Sequence, residues 1–271
     1  MSDNKTLYVI DGGIHTPDDT KAYLEFGIDL NRSDLSTYWA EQIGNRFESL
    51  VKKNYQYYTG GSIEGVICLI KTDAFPEKIY VDALSEQGFT VYPSAEIQTT
   101  FGHFNVIKGK SMEFKSGLDV GGMESVSDIL NYVKENEFIL TLAHPSTVDY
   151  GMRLSDVKLF ESLQKDYKNI FYDRNAWVKT LTENSNFGMA INKIFPKATE
   201  DYNTKLKIIA STDDTTPNIA FSGKQITIEP IDGTLDMLKI AFLNTGSKTD
   251  PISASYILKK ILTKFGLFKT F

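Results

Sequence analysis

Three histidines, His15, His103 and His144, are all the imidazoles of this chain of 271 residues, and each lies beside a short apolar run. Two carboxylates, Glu96 and Asp213, follow apolar runs in the same way. Neutral imidazole and carboxylate oxygen both bind divalent cations. Taken singly, each histidine is better explained as a hydrogen-bonded structural residue. If the five side chains converge, they predict a site for two metal ions.

The stretch 88–107 holds the closest pair of these residues. It reads as two strands, 89–97 and 103–108, that would deliver Glu96 and His103 to one rim. A carboxylate and an imidazole seven residues apart are weak evidence by themselves. The remaining ligands must come from other elements of the chain.

Strand-like and helix-like segments alternate along the rest of the sequence. Further strands are predicted at 6–10, 64–70, 138–143, 169–173 and 206–210, and the first opens into a Gly-rich loop at 11–13. Helices are predicted at 36–55, 76–84, 125–134, near 154–166 and within 175–195. This α/β alternation favours a mainly parallel sheet or barrel, whose chemistry lies at the carboxyl ends of its strands.

Composition limits the classes of partner. The net charge is −6, so no general field for polyanions is expected, and a nucleic-acid end is a less favoured substrate than a small phosphorylated molecule or nucleotide. The one cysteine, Cys68, lies in an apolar run and predicts a core residue in a reducing compartment. The sequence contains no secretory signal pattern and no run of eighteen apolar residues. We therefore expect a cytoplasmic protein without a membrane partner.

The absence of repeats and low-complexity linkers favours one barrel domain at 1–250. The segment 251–271 carries lysines among apolar residues, which predicts a basic amphipathic helix packed on the barrel. A basic docking helix for nucleic acid, membrane or a partner is the alternative for this segment. The oligomeric state does not follow from the sequence.

Five short motifs follow one another along the chain: DGGIHT at 11–16, IKTDAF at 70–75, SAEIQTTFGH at 94–103, TLAHPS at 141–146 and STDDTTP at 211–217. They resemble, in the same order, the metal-binding motifs of the PHP (polymerase and histidinol phosphatase) superfamily. No one motif is specific, but together they make residues 5–245 resemble that family. The resemblance implies a distorted (β/α)7 barrel, a cluster of up to three metals and phosphoesterase activity.

Two of the family's metal positions are retained at least in part. The resemblance implies that Glu96, His103 and His144 form one complete position. It implies a second position from His15, Glu96 and Asp213, which is one ligand short because a glycine, residue 13, replaces the first histidine of the motif D-x-H-x-H-T. Two divalent ions, Mn²⁺, Zn²⁺ or Fe²⁺, are the implied cofactors, and Mg²⁺ becomes more favourable as carboxylate replaces histidine.

The family's third metal position has lost its histidines. Ala74 and Thr215 stand where the family motifs T-D-H and S-D-x-H-x-P have histidine. Only weak replacement by Asp18, Asp19 or Asp214 is expected there. The third position should therefore bind metal poorly or not at all.

Three further residues are candidates for catalysis. Asp73 retains the aspartate of the T-D-H motif, and Lys71 and Arg153 are the cations nearest the predicted mouth. Cations beside a metal pair would bind phosphate oxygens. For Lys71 and Arg153, ordinary solvated surface is an equally good explanation.

Three hypotheses follow. The first is a metal-dependent phosphoesterase, a hydrolase whose two metals activate water. The second is a catalytically inactive barrel retained as a binding or regulatory module, which the lost histidines favour. The third is an unrelated α/β protein in which the order of the motifs is coincidence.

Overall fold

The computed structural model describes residues 5–19, 31–99, 101–109, 125–145, 154–174, 176, 204–250, 252–253 and 255–256. The strands of this part are β1 Leu7–His15, β2 Ile63–Thr72, β3 Thr90–Thr99, β4 Gly102–Ile107, β5 Ile139–Ala143, β6 Ile170–Asp173, β7 Lys207–Ile209, β8 Gly223–Thr227 and β9 Ser247–Thr249. The α-helices are α1 Leu35–Asn54, α2 Lys78–Glu86, α3 Val126–Glu135, α4 Leu154–Leu163 and α5 Leu235–Asn244. None of these helices is long and apolar enough to cross a membrane.

The strands form one sheet in the order β7-β6-β5-β4-β3-β2-β1-β8-β9. Neighbours from β1 to β3 and from β5 to β7 are parallel, as the α/β alternation predicted. Strand β4 runs antiparallel to both β3 and β5. Its first residues therefore lie at the same end of the sheet as the carboxyl ends of β3 and β5, and His103 pairs there with Ala143.

Backbone hydrogen bonds curl this sheet into a nearly closed, barrel-like form. The chain that continues from β7 returns to β1, where the Gly12 N–H donates to the Ala210 carbonyl at 3.0 Å. Two more bonds follow: the Asp213 N–H donates to the Gly13 carbonyl at 2.8 Å, and the His15 N–H donates to the Asp214 carbonyl at 3.2 Å. Residues after β7 are thereby held against the end of β1.

The interior of the barrel is apolar at the end remote from the histidines. One buried cluster combines the inward residues of seven strands with residues of α5 that cover them. Its strand members are Ile10, Val66, Cys68, Tyr92, Ile107, Ile139, Phe171 and Ile209. Cys68 is fully buried, as predicted for a core residue. This packing is a rigid support for the polar end of the barrel.

Helices cover the outside of the sheet where the apolar period predicted them. In α1 the buried Leu35, Trp39, Ile43 and Leu50 lie on one face, and the indole N–H of Trp39 donates to the Thr215 carbonyl at 3.0 Å. Helix α3 begins after Ser125, whose hydroxyl accepts the N–H of residue 128 at 3.2 Å, an N-cap contact.

One local prediction was wrong. The residues at 11–13 do not form a Gly-rich loop, because β1 continues to His15 with an irregularity in its register between Asp11 and Ile14. Glycine at position 12 lets the backbone of β1 approach the backbone of Ala210 closely, because a Cβ on Gly12 would lie 2.6 Å from the Ala210 carbonyl oxygen. The helices predicted within 175–195 and at 251–271 fall almost wholly outside the described residues.

Candidate metal centre

Three side chains at the ends of β3, β4 and β5 form a first compact group, here called the first metal position. It consists of Glu96, His103 and His144, whose potential ligand atoms all lie within 4.8 Å of one another. His103 Nδ1 lies 2.7 Å from Glu96 Oε1 and 3.1 Å from His144 Nε2. All three residues are buried. The reversed direction of β4 makes this meeting geometrically possible, because His103 opens its strand while the other two lie at strand ends.

A second compact group, the second metal position, shares the same glutamate. It consists of His15, Glu96 and Asp213, again with ligand atoms within 4.8 Å of one another. His15 Nε2 lies 3.3 Å from Asp213 Oδ1 and 3.4 Å from Glu96 Oε2. The other ring nitrogen, Nδ1, lies 2.5 Å from Asp19 Oδ2. Asp19 therefore orients the imidazole from behind, as outer carboxylates do for metal-binding histidines.

The backbone at this rim adopts an uncommon conformation. Asp73, His144 and Asp213 have φ values of 54°, 30° and 53°, in the left-handed region that non-glycine residues seldom occupy. Each follows a strand directly or within a few residues. Such conformations cost free energy and concentrate at functional sites, so their grouping at one rim agrees with a site there.

The charges of the two positions are mutually dependent. Burial alone would lower the pKa of His15, but hydrogen bonds to Asp19 and Asp213 and the nearby charge of Glu96 raise it well above its ordinary value. Burial would raise the pKa of Glu96, but the neighbouring imidazoles of His103 and His15 hold it well below its ordinary value. The proton on His15 thus supplies a positive charge among carboxylates. A bound divalent cation would replace that proton.

The donor set fits divalent ions. Ligands of Zn²⁺ lie about 2.0–2.3 Å from the ion, so donor atoms within 4.8 Å of one another need only small movements to share one. Glu96 Oε2 is buried and has no hydrogen-bond partner among the described residues. Histidine with carboxylate suits Zn²⁺, Mn²⁺ or Fe²⁺, and the carboxylate-rich second position suits Mn²⁺ best.

The place of the first motif histidine is filled by neighbours. A Cβ on Gly13 would lie 2.5 Å from Ile70 Cδ1 and 3.2 Å from Ser211 Cβ. A larger side chain would therefore require the end of Ile70 to move. The second metal position accordingly obtains no ligand from residue 13.

The acids considered as replacements at the third position have other partners. Asp18 lies 2.6 Å from Lys71 Nζ, and Asp19 holds His15. One carboxylate oxygen of Asp214 accepts the N–H of Thr216 at 2.9 Å. None of the three belongs to a compact ligand group among the described residues.

The residues predicted for catalysis are placed as follows. One carboxylate oxygen of Asp73 accepts the N–H of Gln98 at 3.2 Å, and Asp73 belongs to neither metal position. Lys71 contacts the carboxylates of Asp18 and Glu77. Arg153 lies outside the described residues. Their catalytic roles remain predictions.

Two buried acids of the neighbourhood were missed by the sequence analysis. Asp173 ends β6 and is 1 % exposed, and Asp11 in β1 is fully buried. Asp173 could have been found by the rule that selected Asp213, since it too is an acid at the carboxyl end of an apolar strand. Asp11 carries the same signal, since it directly follows the predicted strand 6–10, but its role is set by partners about 200 positions away.

Comparisons with known proteins identify the fold more readily than the function. No family model matches the sequence, and no curated protein matches it. Among solved structures, the chain is similar to the crystal structure of PsfC from Pseudomonas syringae PB-5123, with a TM-score of 0.50 and 13 % sequence identity. The similarity covers 96 % of this chain and 99 % of that chain. At this identity the likeness concerns the fold alone. The fold and the site together define an α/β protein with a nearly closed barrel-like sheet and a candidate metal centre at one end.

Proposed function

We propose that this chain is a metal-dependent phosphoesterase with a PHP-like (β/α)7 barrel and two divalent ions. The observation that carries the proposal is the sharing of Glu96 by two compact ligand groups, in which every residue except the half-buried Asp213 is buried. A carboxylate common to two ions is expected where a metal pair acts on one substrate. The order of the five sequence motifs supports the same assignment.

The roles of the residues follow from their contacts. Glu96 would bridge the two positions, because one of its oxygens faces His103 and the other faces His15. His103 and His144 would complete the first position, and Asp213 would complete the second together with His15. When bound, two divalent ions bind phosphoryl oxygens, activate water and stabilise the leaving oxygen.

The proposed substrate is a small phosphorylated metabolite or a nucleotide. The net charge of −6 opposes general binding of polyanions. We propose that Lys71 attracts the phosphate group. To bind phosphate, Lys71 would have to give up its ion pair with Asp18 or with Glu77. Arg153 and Asp73 are proposed to assist, and a nucleic-acid end remains the less favoured substrate.

The test is metal binding followed by activity. The purified chain would be stripped with a chelator, loaded with Mn²⁺ or Zn²⁺, and assayed for bound metal and for release of phosphate from phosphomonoesters, nucleotides and DNA ends. We expect two ions per chain and hydrolysis that requires them. Glu96→Gln should abolish both, whereas Gln98→Ala, an exposed neighbour on the same strand, should change neither. A wild-type chain that binds no metal would refute the proposal.

A second candidate function is a catalytically inactive barrel that acts as a binding or regulatory module. It is favoured by Gly13, where the space next to the missing histidine is taken by Ile70, and by the loss of histidine at residues 74 and 215. This candidate predicts that His103→Ala leaves the biological role intact. Metal-dependent hydrolysis by the wild type, lost in His103→Ala, would exclude it.

A further inference from the structure

A buried polar layer lies directly beside the proposed ligands on the inner face of the sheet. Side chains two residues apart on a strand share a face. The neighbours of the ligands on that face are consequently residues such as Ser94, two before Glu96 in β3, and Asn105, two after His103 in β4. The layer comprises Ser94, Asn105, Thr141, Asp173 and Ser211, and each member is at most 1 % exposed.

Asp173 is the one ionisable member of this polar layer. Its Oδ2 accepts the hydroxyl of Ser211 at 2.6 Å, whereas its Oδ1 is buried and has no hydrogen-bond partner among the described residues. A buried carboxylate oxygen without a partner costs free energy. A cation close to Asp173 would remove that cost.

The surroundings of Asp173 supply negative charge. Burial raises the pKa of Asp173 well above its ordinary value, and the charges of Asp213, Asp11 and Glu96 raise it further. Two of these acids, Glu96 and Asp213, belong to the second metal position. Asp173 is thus electrostatically coupled to the ligands of that position, and a divalent ion there would reverse the sign of its environment.

The missing ligand of the second position lies in the same neighbourhood. A Cβ on Gly13 would lie 3.2 Å from Ser211 Cβ, and Ser211 is the residue that holds Asp173. Ser211 therefore contacts both the carboxylate of Asp173 and the place that a side chain at residue 13 would occupy. Only one oxygen of Asp173 makes a hydrogen bond, so the other can accept a ligand contact without breaking an existing one.

We propose that Asp173 is a further carboxylate ligand of the second metal position, in place of the side chain that Gly13 lacks. This inference rests on the proposed function, since it presupposes a metal at that position. Asp173 does not belong to the compact group of His15, Glu96 and Asp213. It completes the ligand shell by rotating about its own side-chain bonds while Ser211 remains its neighbour.

The test counts Mn²⁺ ions and measures their affinities by calorimetry and elemental analysis on chelator-stripped protein. Asp173→Asn keeps the shape and removes the charge. We expect it to bind one ion with the wild-type Kd and to bind the second at least about tenfold more weakly, the scale on which removing a supporting metal contact acts. The matched control is Thr141→Val, a neutral change in the same polar layer, which should bind both ions like the wild type.

The outcomes separate this inference from the proposed function. If the wild type binds two ions and Asp173→Asn binds both with unchanged Kd values, the inference is overturned while the two-metal function stands. If the wild type binds one ion or none, the two-metal function fails and the inference fails with it.

Thermal unfolding in chelator should show Asp173→Asn as stable as the wild type, which excludes misfolding as the cause of lost binding. If that variant does not fold, Asp173→Ser, which also removes the carboxylate, replaces it: a second Kd weakened at least about tenfold supports the inference, and an unchanged Kd overturns it.

Discussion

Asp11 and Glu96 are both buried carboxylates, yet their surroundings differ completely. Asp11 accepts backbone N–H groups from Gly13 at 3.1 Å, Thr212 at 2.9 Å and Phe221 at 2.8 Å, and it also accepts the hydroxyl of Thr212. These donors come from β1 and from the segment after β7, so Asp11 ties together the two sides of the barrel seam. Its hydrogen-bonding capacity is used within the protein.

Glu96 has imidazoles as its neighbours. His103 lies 2.7 Å from one carboxylate oxygen, and His15 lies 3.4 Å from the other, which lacks a hydrogen-bond partner among the described residues. Backbone donors satisfy Asp11, whereas the groups around Glu96 are themselves candidate metal ligands. The difference separates a carboxylate that holds the fold from one that is available to a cation.

The two acids also have opposite pH dependence. Burial raises the pKa of Asp11 from 3.8 to about 7, so its contribution to stability is fully present below pH 3.8 and is lost as the pH rises to about 7. Burial opposes ionisation of Glu96, but its imidazoles lower its pKa well below 4.5. The contribution of Glu96 is therefore present above pH 4.5 and is lost as the pH falls through the lowered pKa.

Replacing Glu96 should have the largest effect on metal binding. Because Glu96→Ala removes a ligand from both positions, we expect Mn²⁺ affinity to fall by about a thousandfold, roughly 4 kcal/mol. Calorimetry on chelator-stripped protein would measure it. Wild-type affinity in Glu96→Ala would contradict the assignment of Glu96 as the shared ligand.

Replacing Asp11 should reduce stability without changing the site. Asp11→Ala leaves buried N–H donors without an acceptor, and we expect the free energy of unfolding to fall by about 3 kcal/mol. Urea denaturation would measure the loss. Asp82→Ala, an exposed acid of α2 that pairs with Lys78, is the control and should change stability by less than about 1 kcal/mol. Equal losses of stability in the two variants would show that Asp11 stabilises the fold no more than the control acid Asp82 does.

Metal affinity should increase with pH. Its carboxylate partners raise the pKa of His15 well above 6.5 despite burial, so the ion must displace a proton from His15 while the pH is below that raised pKa. We expect the affinity at the second position to rise about tenfold per pH unit in that range. In His15→Gln the affinity should rise less steeply with pH, because the His15 proton is no longer displaced. A pH-independent Kd in the wild type would show that His15 does not bind metal.

Replacing Lys71 should have the smallest effect on stability. Lys71 contacts Asp18 and Glu77 at the partly exposed edge of the site, and such ion pairs contribute about 1 kcal/mol or less. Lys71→Met should therefore fold normally. If Lys71 attracts phosphate as proposed, KM for a phosphomonoester should rise several-fold with little change in kcat, and an unchanged KM would remove Lys71 from the site.

The sequence alone predicted the α/β alternation and most helices and strands, because apolar periods of two and of about 3.6 residues report local structure directly. It also selected His15, Glu96, His103, His144 and Asp213, all of which the fold brings into the two compact groups. Polar residues at strand ends are good candidates for site residues, because parallel strands place their carboxyl ends at one edge of the sheet.

The tertiary structure decided what depends on contacts distant in sequence. The antiparallel direction of β4 explains why His103 can open a strand and still meet Glu96. The role of Asp11 depends on Thr212 and Phe221, about 200 residues away. Only the packed structure shows that one carboxylate oxygen of Asp173 is buried without a hydrogen-bond partner among the described residues. Residue types and local periods identify the candidate ligands, but only packing determines which acids the backbone satisfies and which remain available to a cation.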